Sequence, residues 1–134
     1  MNIHLNIDNG ELTIGDVKIS PTFSITDIED LQNRYEIIFN RTTNTGYTTY
    51  RSSSLNDGDN SILFTFRQNQ IFGLNISNGL KYANPPYVIT EEKRIRTKEL
   101  LKLLGGEYDY LWGKVYYNED PKGGNVNVGL RYNN

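Results

Sequence analysis

Apolar residues return at every second position in segment after segment of this chain, a period that fits a half-buried β-strand and excludes an amphipathic helix. Ile3, Leu5 and Ile7 alternate with polar neighbours and are predicted to share one strand face. Leu12 with Ile14, then Val17 with Ile19, carry the pattern on between turns at Asp8-Asn9-Gly10 and Gly15-Asp16. The opening reads as a meander of short strands. Tyr35, Ile37 and Phe39 resume the period, and Tyr47-Thr48-Thr49-Tyr50-Arg51 is rich in strand-forming types, so these two segments are predicted to pair. The clearest hairpin of the central region sets Ile62, Phe64 and Phe66 against Phe72, Leu74 and Ile76, with both apolar rows on one face.

Two stretches break the period. Thr26-Asp27-Ile28-Glu29 has the threonine and glutamate spacing of a helix N-terminal capping box, which predicts a short helix from about Asp27 to Gln32 with Ile28 and Leu31 inward. Asn84-Pro85-Pro86 then forbids helix in a connector, and the last third of the chain follows as a unit of its own. Thr90 is placed to cap a second helix, with Glu91 and Glu92 in its first turn and Lys98 and Lys102 towards its other end. Thr97, Leu100, Leu101 and Leu104 recur at intervals of three and four, and Gly105 or Gly106 supplies the stop. A terminal hairpin comes next. Leu111, Gly113, Val115 and Tyr117 are predicted on one face and Trp112, Lys114 and Tyr116 on the other, with Val126, Val128, Leu130 and Tyr132 in the returning strand.

These elements amount to one α+β domain spanning residues 1–134, a largely antiparallel sheet of about seven to nine strands with two helices. A chain of 134 residues can bury one core without covalent staples. It has no cysteine, which excludes disulfides, thiolate metal sites and a cysteine nucleophile and fits a reducing compartment. Neither a signal-peptide pattern nor a bilayer-spanning apolar run is present, so the expected location is cytoplasmic and no membrane partner is expected. The net charge of −2 is uneven: residues 1–60 carry nine acids against four bases, residues 61–134 ten bases against seven acids. A nucleic-acid binder shows a much stronger basic footprint, so none is expected as a partner.

The residues that could carry chemistry have ordinary readings. His4 is the single histidine and has no ligand partner at metal-binding spacing. Asp57-Gly58-Asp59 lacks the closing glutamate of a calcium loop. Glu107, Asp109, Glu119 and Asp120 flank the terminal hairpin's first strand; a carboxylate pair there could serve glycoside hydrolysis, but acids in two loops are first of all solvated ends. Asp120-Pro121-Lys122-Gly123-Gly124 joins two strands, so it lacks the helix N-terminus a phosphate loop requires. No catalytic residue, metal or cofactor is assigned.

Binding chemistry is better represented. Ten tyrosines and one tryptophan are unusual for this length, and these types are enriched where binding energy concentrates. If the sheet packs one face under helices, Trp112 and Tyr116 would form an uncovered aromatic row, with Lys114 beside them. Arg94, Arg96 and Lys98 give the second helix a basic side suited to an acidic partner. These six residues are the candidate partner-binding set. A homodimer joined through an edge strand stays open.

The run from Glu91 to Tyr132 also resembles small bacterial proteins of similar length that are often met near polymorphic-toxin or contact-inhibition loci. Tyr110-Leu111-Trp112-Gly113-Lys114-Val115, Asp120-Pro121-Lys122-Gly123-Gly124 and the closing Val126-x-Val128-x-Leu130-x-Tyr132 carry the likeness, over about a third of the chain. It implies an immunity-type protein that binds and blocks a cognate toxin and performs no catalysis. The alternative is a small-ligand binding module with an aromatic-lined pocket in a curved sheet.

Overall fold

The computed structural model describes residues 3–79, 82 and 87–133. Asn84-Pro85-Pro86, expected to keep the approach to the second helix extended, lies outside them. Among the described residues, ten strands form two antiparallel sheets, accompanied by two helices. β1 (Ile3–Leu5), β2 (Leu12–Ile14) and β3 (Val17–Ile19) make the predicted meander, in the order β1-β2-β3. The larger sheet holds β4 (Ile37–Thr42), β5 (Tyr47–Ser52), β6 (Asn60–Arg67), β7 (Gln70–Asn78), β8 (Tyr108–Tyr110), β9 (Gly113–Asp120) and β10 (Asn125–Tyr132). Its order is β4-β5-β6-β7-β10-β9-β8, so the last strand of the chain is inserted beside β7. The terminal hairpin thereby completes the central one as a single sheet.

One face of this sheet is the floor of the core. Ile62, Phe64, Phe66, Ile71, Leu74, Ile76, Val128 and Leu130 are fully buried there, and the meander supplies Leu12, Ile14 and Ile19 from above. Phe23 stacks on both Phe64 and Phe66 at ring separations of 6.2 and 6.3 Å, which seats the segment between the meander and α1 (Ile25–Leu31) over β6. The other half of the floor is covered by α2 (Glu91–Leu103), which lies against β7, β9 and β10.

α2 forms as its sequence predicts. The Thr90 hydroxyl accepts the Lys93 N–H at 3.2 Å, and Thr97, Leu100 and Leu104 are buried, with Leu101 half-buried. At its end Gly106 N–H reaches the Leu101 carbonyl at 2.9 Å and Gly105 N–H reaches Lys102 at 3.1 Å, a Schellman closure that puts both glycines at positive φ. α1 starts earlier than predicted. Its cap is Ser24, whose N–H the Asp27 carboxylate accepts at 2.8 Å, in place of the Thr26 and Glu29 pair. Ile28 is fully buried and Leu31 packs at the margin of the core.

Phe39 and Leu111, grouped by the alternation with Ile37 and Val115, are exposed, and three further face assignments differ. In the central hairpin, Thr65 pairs with Gly73 but Phe66 pairs with Ile71, so Phe72 is the extra residue of a β-bulge. Ile71 takes the core position and Phe72 turns to the opposite face. Gly73 fits because a Cβ there would lie 2.7 Å from the Leu130 carbonyl oxygen. At the amino end Ile7 has left β1 and is half exposed, since the chain already turns at Asn6, which accepts the Gly10 N–H. The third case is Trp112, which belongs to the turn between β8 and β9 and packs on the core side, away from Tyr116.

Candidate protein-binding surface

The face of the large sheet opposite the core is not covered by any described element. Its residues follow from the strand registers: Arg51, Leu63, Asn75, Gly129 and Tyr116 form one row across the strands, and Thr49, Thr65, Gly73, Arg131, Lys114 and Asp109 the next. Phe72, delivered by the bulge, and Tyr47, opposite Arg67, complete the adjoining edge. Asn75 donates its amide to Asn127 at 2.9 Å, tying β7 to β10 on this side.

On this face cations and rings alternate along a stripe. The Arg67 guanidinium lies 5.7 Å from the centre of the Phe72 ring, and Arg131 lies 5.0 Å from the same ring and 5.8 Å from that of Tyr116. The Lys114 ammonium is 5.4 Å from the Tyr116 ring. Tyr47 meets Phe72 edge-on at 5.2 Å. Tyr116 lies flat because its cross-strand partner is Gly129: a Cβ at that position would be 2.1 Å from the ring. The glycine holds the ring down on the β10 backbone. Each contact of this kind contributes about 0.5–1 kcal/mol at an exposed site, enough to keep the long side chains ordered over the rings.

Beside the stripe the same face opens into a groove of about 640 Å³. Its floor is Leu63 among Ser61, Asn75, Ser77, Asn118 and Asn127, and its far wall includes Tyr82, Tyr87 and the 120–124 turn. Amides and hydroxyls share the lining about equally with apolar surface and the groove is open, unlike the enclosed apolar pocket that a small-ligand module requires.

The six candidate residues fall into three places. Tyr116 and Lys114 lie on the stripe. Trp112 stacks on Tyr110 at 4.9 Å with planes 8° apart, meets Tyr132 at 5.7 Å and donates its indole N–H to the Ile7 carbonyl at 2.8 Å. Gly10 passes directly beneath it, where a Cβ would be 2.6 Å from the indole. The aromatic row expected of Trp112 and Tyr116 is therefore two separate sites, because the chain at Trp112 is a turn and strand alternation does not apply there. Arg94, Arg96 and Lys98 are on α2, on the covered side of the sheet.

Much of that helix charge is used within the fold. Arg94 binds Glu119 through two nitrogens at 3.1 and 3.4 Å, and the Tyr117 hydroxyl donates to the same carboxylate at 2.7 Å. The Tyr117 hydrogen bond, then Arg94, holds the Glu119 carboxyl below its ordinary range. Burial, reinforced by Glu119, pushes the Tyr117 phenol up to about 12. Arg96 pairs with Glu92 at 3.1 Å and lies 4.1 Å from the Tyr82 ring centre, while Lys98 stands 5.7 Å from that of Tyr117.

The other acids are placed as structural groups. Glu119 is ionised and paired, the reverse of the raised carboxyl a general acid needs. Glu107 accepts the Tyr117 N–H at 3.1 Å and Asp109 faces Lys114 across the strands. In the Asp57-Gly58-Asp59 loop, buried Asn56 donates to Asn60 at 2.8 Å and Asp57 and Gly58 take positive φ, the geometry of a closed turn. Among the described residues no three His, Asp or Glu side chains converge as metal ligands, and no helix is long and apolar enough to cross a membrane.

No family model matches the chain, and no curated protein matches it. Among solved structures, a chain of the complex described as "Rhs1-CT in complex with cognate immunity protein RhsI1" shares its fold, with a TM-score of 0.60 over 98% of this chain and 87% of that one. Identity is 12%, so the likeness is one of fold.

Proposed function

We propose that this chain is a non-catalytic, cytoplasmic binding protein of the immunity type, which occludes a cognate toxin domain. The observation that carries the reading is the sheet face that no described element covers, where cations and aromatic rings are ordered against one another. Arginine, tyrosine and tryptophan are the residues in which binding energy concentrates, and ordering them in advance lowers the entropic cost of association. The fold shared with a chain of a toxin–immunity complex supports a protein partner. An open groove of mixed lining in place of a closed apolar pocket weighs against the small-ligand alternative.

The test is capture followed by reconstitution. Tagged protein is used to recover partners from its native host, a recovered toxin domain is purified, and its binding is titrated by calorimetry. Growth of cells making that domain is then compared with and without this chain. Saturable one-to-one binding together with rescued growth is the expected result. Unaltered toxicity and no heat of binding would sink the proposal.

A further inference from the structure

We infer that the cation–aromatic stripe formed by Arg67, Phe72, Arg131, Tyr116 and Lys114 is the contact surface, and that it takes an acidic patch of a folded protein partner. This deepens the reading above and rests on it. Three observations carry it.

The first is construction. Phe72 reaches this face only because the bulge at Gly73 turns it away from the core, and Tyr116 lies flat only because Gly129 has no side chain. Two local departures from a regular sheet both serve to place rings between cations. Bulges re-aim side chains in this way, and a glycine inside a central strand sacrifices packing that an ordinary strand residue would provide.

The second is the distribution of charge. Arg51, Arg67, Lys114 and Arg131 lie on the open face, against Asp109 and Asp120 at its border. The chain as a whole is nevertheless acidic, at −2. Asp8, Glu11, Asp16, Glu29 and Asp30 sit on the meander and α1, across the core from the stripe. An acidic partner is attracted by this face and repelled by the meander side; α2, with five bases against three acids over residues 91–103, is the competing basic surface, part of its charge paired with Glu92 and Glu119.

The third separates protein from nucleic acid. A few cations bordered by two carboxylates, on a protein of net negative charge, fall short of the phosphate-tracking surface that nucleic acids require. Carboxylates set in a protein surface match better. Arginine can bind them in a bidentate way while its flat face stays on the ring.

The experiment titrates the toxin domain recovered above against the full-length chain and three charge reversals: Arg131→Glu, Lys114→Glu and, on the opposite side, Lys98→Glu. Unfolding midpoints of all variants are measured alongside, and Arg67→Glu stands in for either stripe variant that unfolds. The stripe variants are expected to weaken binding on the order of 30-fold, the scale of a hot-spot residue, with Lys98→Glu close to wild type. Wild-type association should also slow as salt rises. If the stripe variants bind as wild type does, or the loss falls on Lys98→Glu instead, the stripe is overturned while the protein-binding reading stands. If wild type binds no toxin domain, both fall. Poly-L-glutamate and oligothymidylate serve as defined anionic competitors: displacement of the partner by poly-L-glutamate supports the inference. Direct binding of oligothymidylate to wild type, lost in Arg131→Glu, overturns it in favour of single-stranded nucleic acid.

Discussion

Trp112 shows how much one side chain can hold. Its ring covers Gly10, stacks on Tyr110 and touches Tyr132, and its N–H closes on Ile7, so it joins the β8–β9 turn to the far end of the meander. Replacing a packed aromatic of this kind by alanine costs about 3 kcal/mol. We expect Trp112→Ala to lose roughly that much in urea unfolding, and Trp112→Phe, which keeps a ring but not the hydrogen bond, about 1–2 kcal/mol. Partner affinity per folded molecule should be unchanged in Trp112→Phe, since the indole is not on the open face. The Glu119 group makes a second residue-scale prediction. Its folded pKa is depressed below the ordinary 4.5, so its stabilisation is fully present above that pH and is lost as pH falls through the folded value. In Glu119→Gln the stability difference from wild type should therefore shrink between about pH 6 and pH 3, as followed by urea midpoints. Tyr117 runs the other way: its folded pKa is raised, so its contribution is present below about 10 and drains as pH climbs towards about 12.

At the scale of the element, α2 is where sequence and structure agree most closely. Its start and stop are local hydrogen bonds, which depend on few residues and survive any tertiary arrangement. Thr90→Ala removes the acceptor for Lys93 N–H and should cost about 1 kcal/mol; Gly105→Ala, at a φ of 98°, should cost about 1 kcal/mol or more. Both are read from chemical denaturation, and helical circular dichroism should otherwise be retained. The central hairpin is a different case. Its turn places Gln68 and Asn69 at φ of 52° and 72°, the backbone of a two-residue hairpin loop, and Arg67 pairs with Gln70. That tight closure would continue as plain alternation, but the chain carries one residue more on β7, and the bulge absorbs it. Nothing in the run Gln70-Ile71-Phe72-Gly73-Leu74 distinguishes Ile71 inward from Phe72 inward by periodicity. Gly73 is the one local sign that the ladder breaks there.

On the scale of the whole molecule, the two sheets share one core and are joined at its end by Trp112 and by Tyr132. The buried Tyr132 hydroxyl donates to the Gly10 carbonyl at 2.9 Å, and burial raises its pKa well above the ordinary phenol range. The meander should therefore not unfold ahead of the large sheet. We expect far-ultraviolet circular dichroism and the fluorescence of the single tryptophan to trace one coincident transition, as in a two-state domain. An earlier fluorescence change would mean that the meander is a separate unit. The α+β class, the meander, α2 with both its caps and the pairing of successive strands were legible because each is written in contiguous residues. Tyr116 and Lys114 were legible as surface candidates by the same alternation. Phe72, Arg67 and Arg131 were not, because Phe72 reaches that face through a bulge and the stripe crosses from β7 to β10, an adjacency no local pattern encodes. Sequence by itself settled most of the strand segments and where α2 begins and ends, since backbone hydrogen bonding and side-chain period are local; β8 over Tyr108–Tyr110 escaped it, the hairpin having been read from Leu111. Only the tertiary structure decided that β10 enters between β7 and β9, that Trp112 locks the core, and that no described element covers one sheet face, because these follow from which buried surfaces fit together across more than a hundred residues of chain.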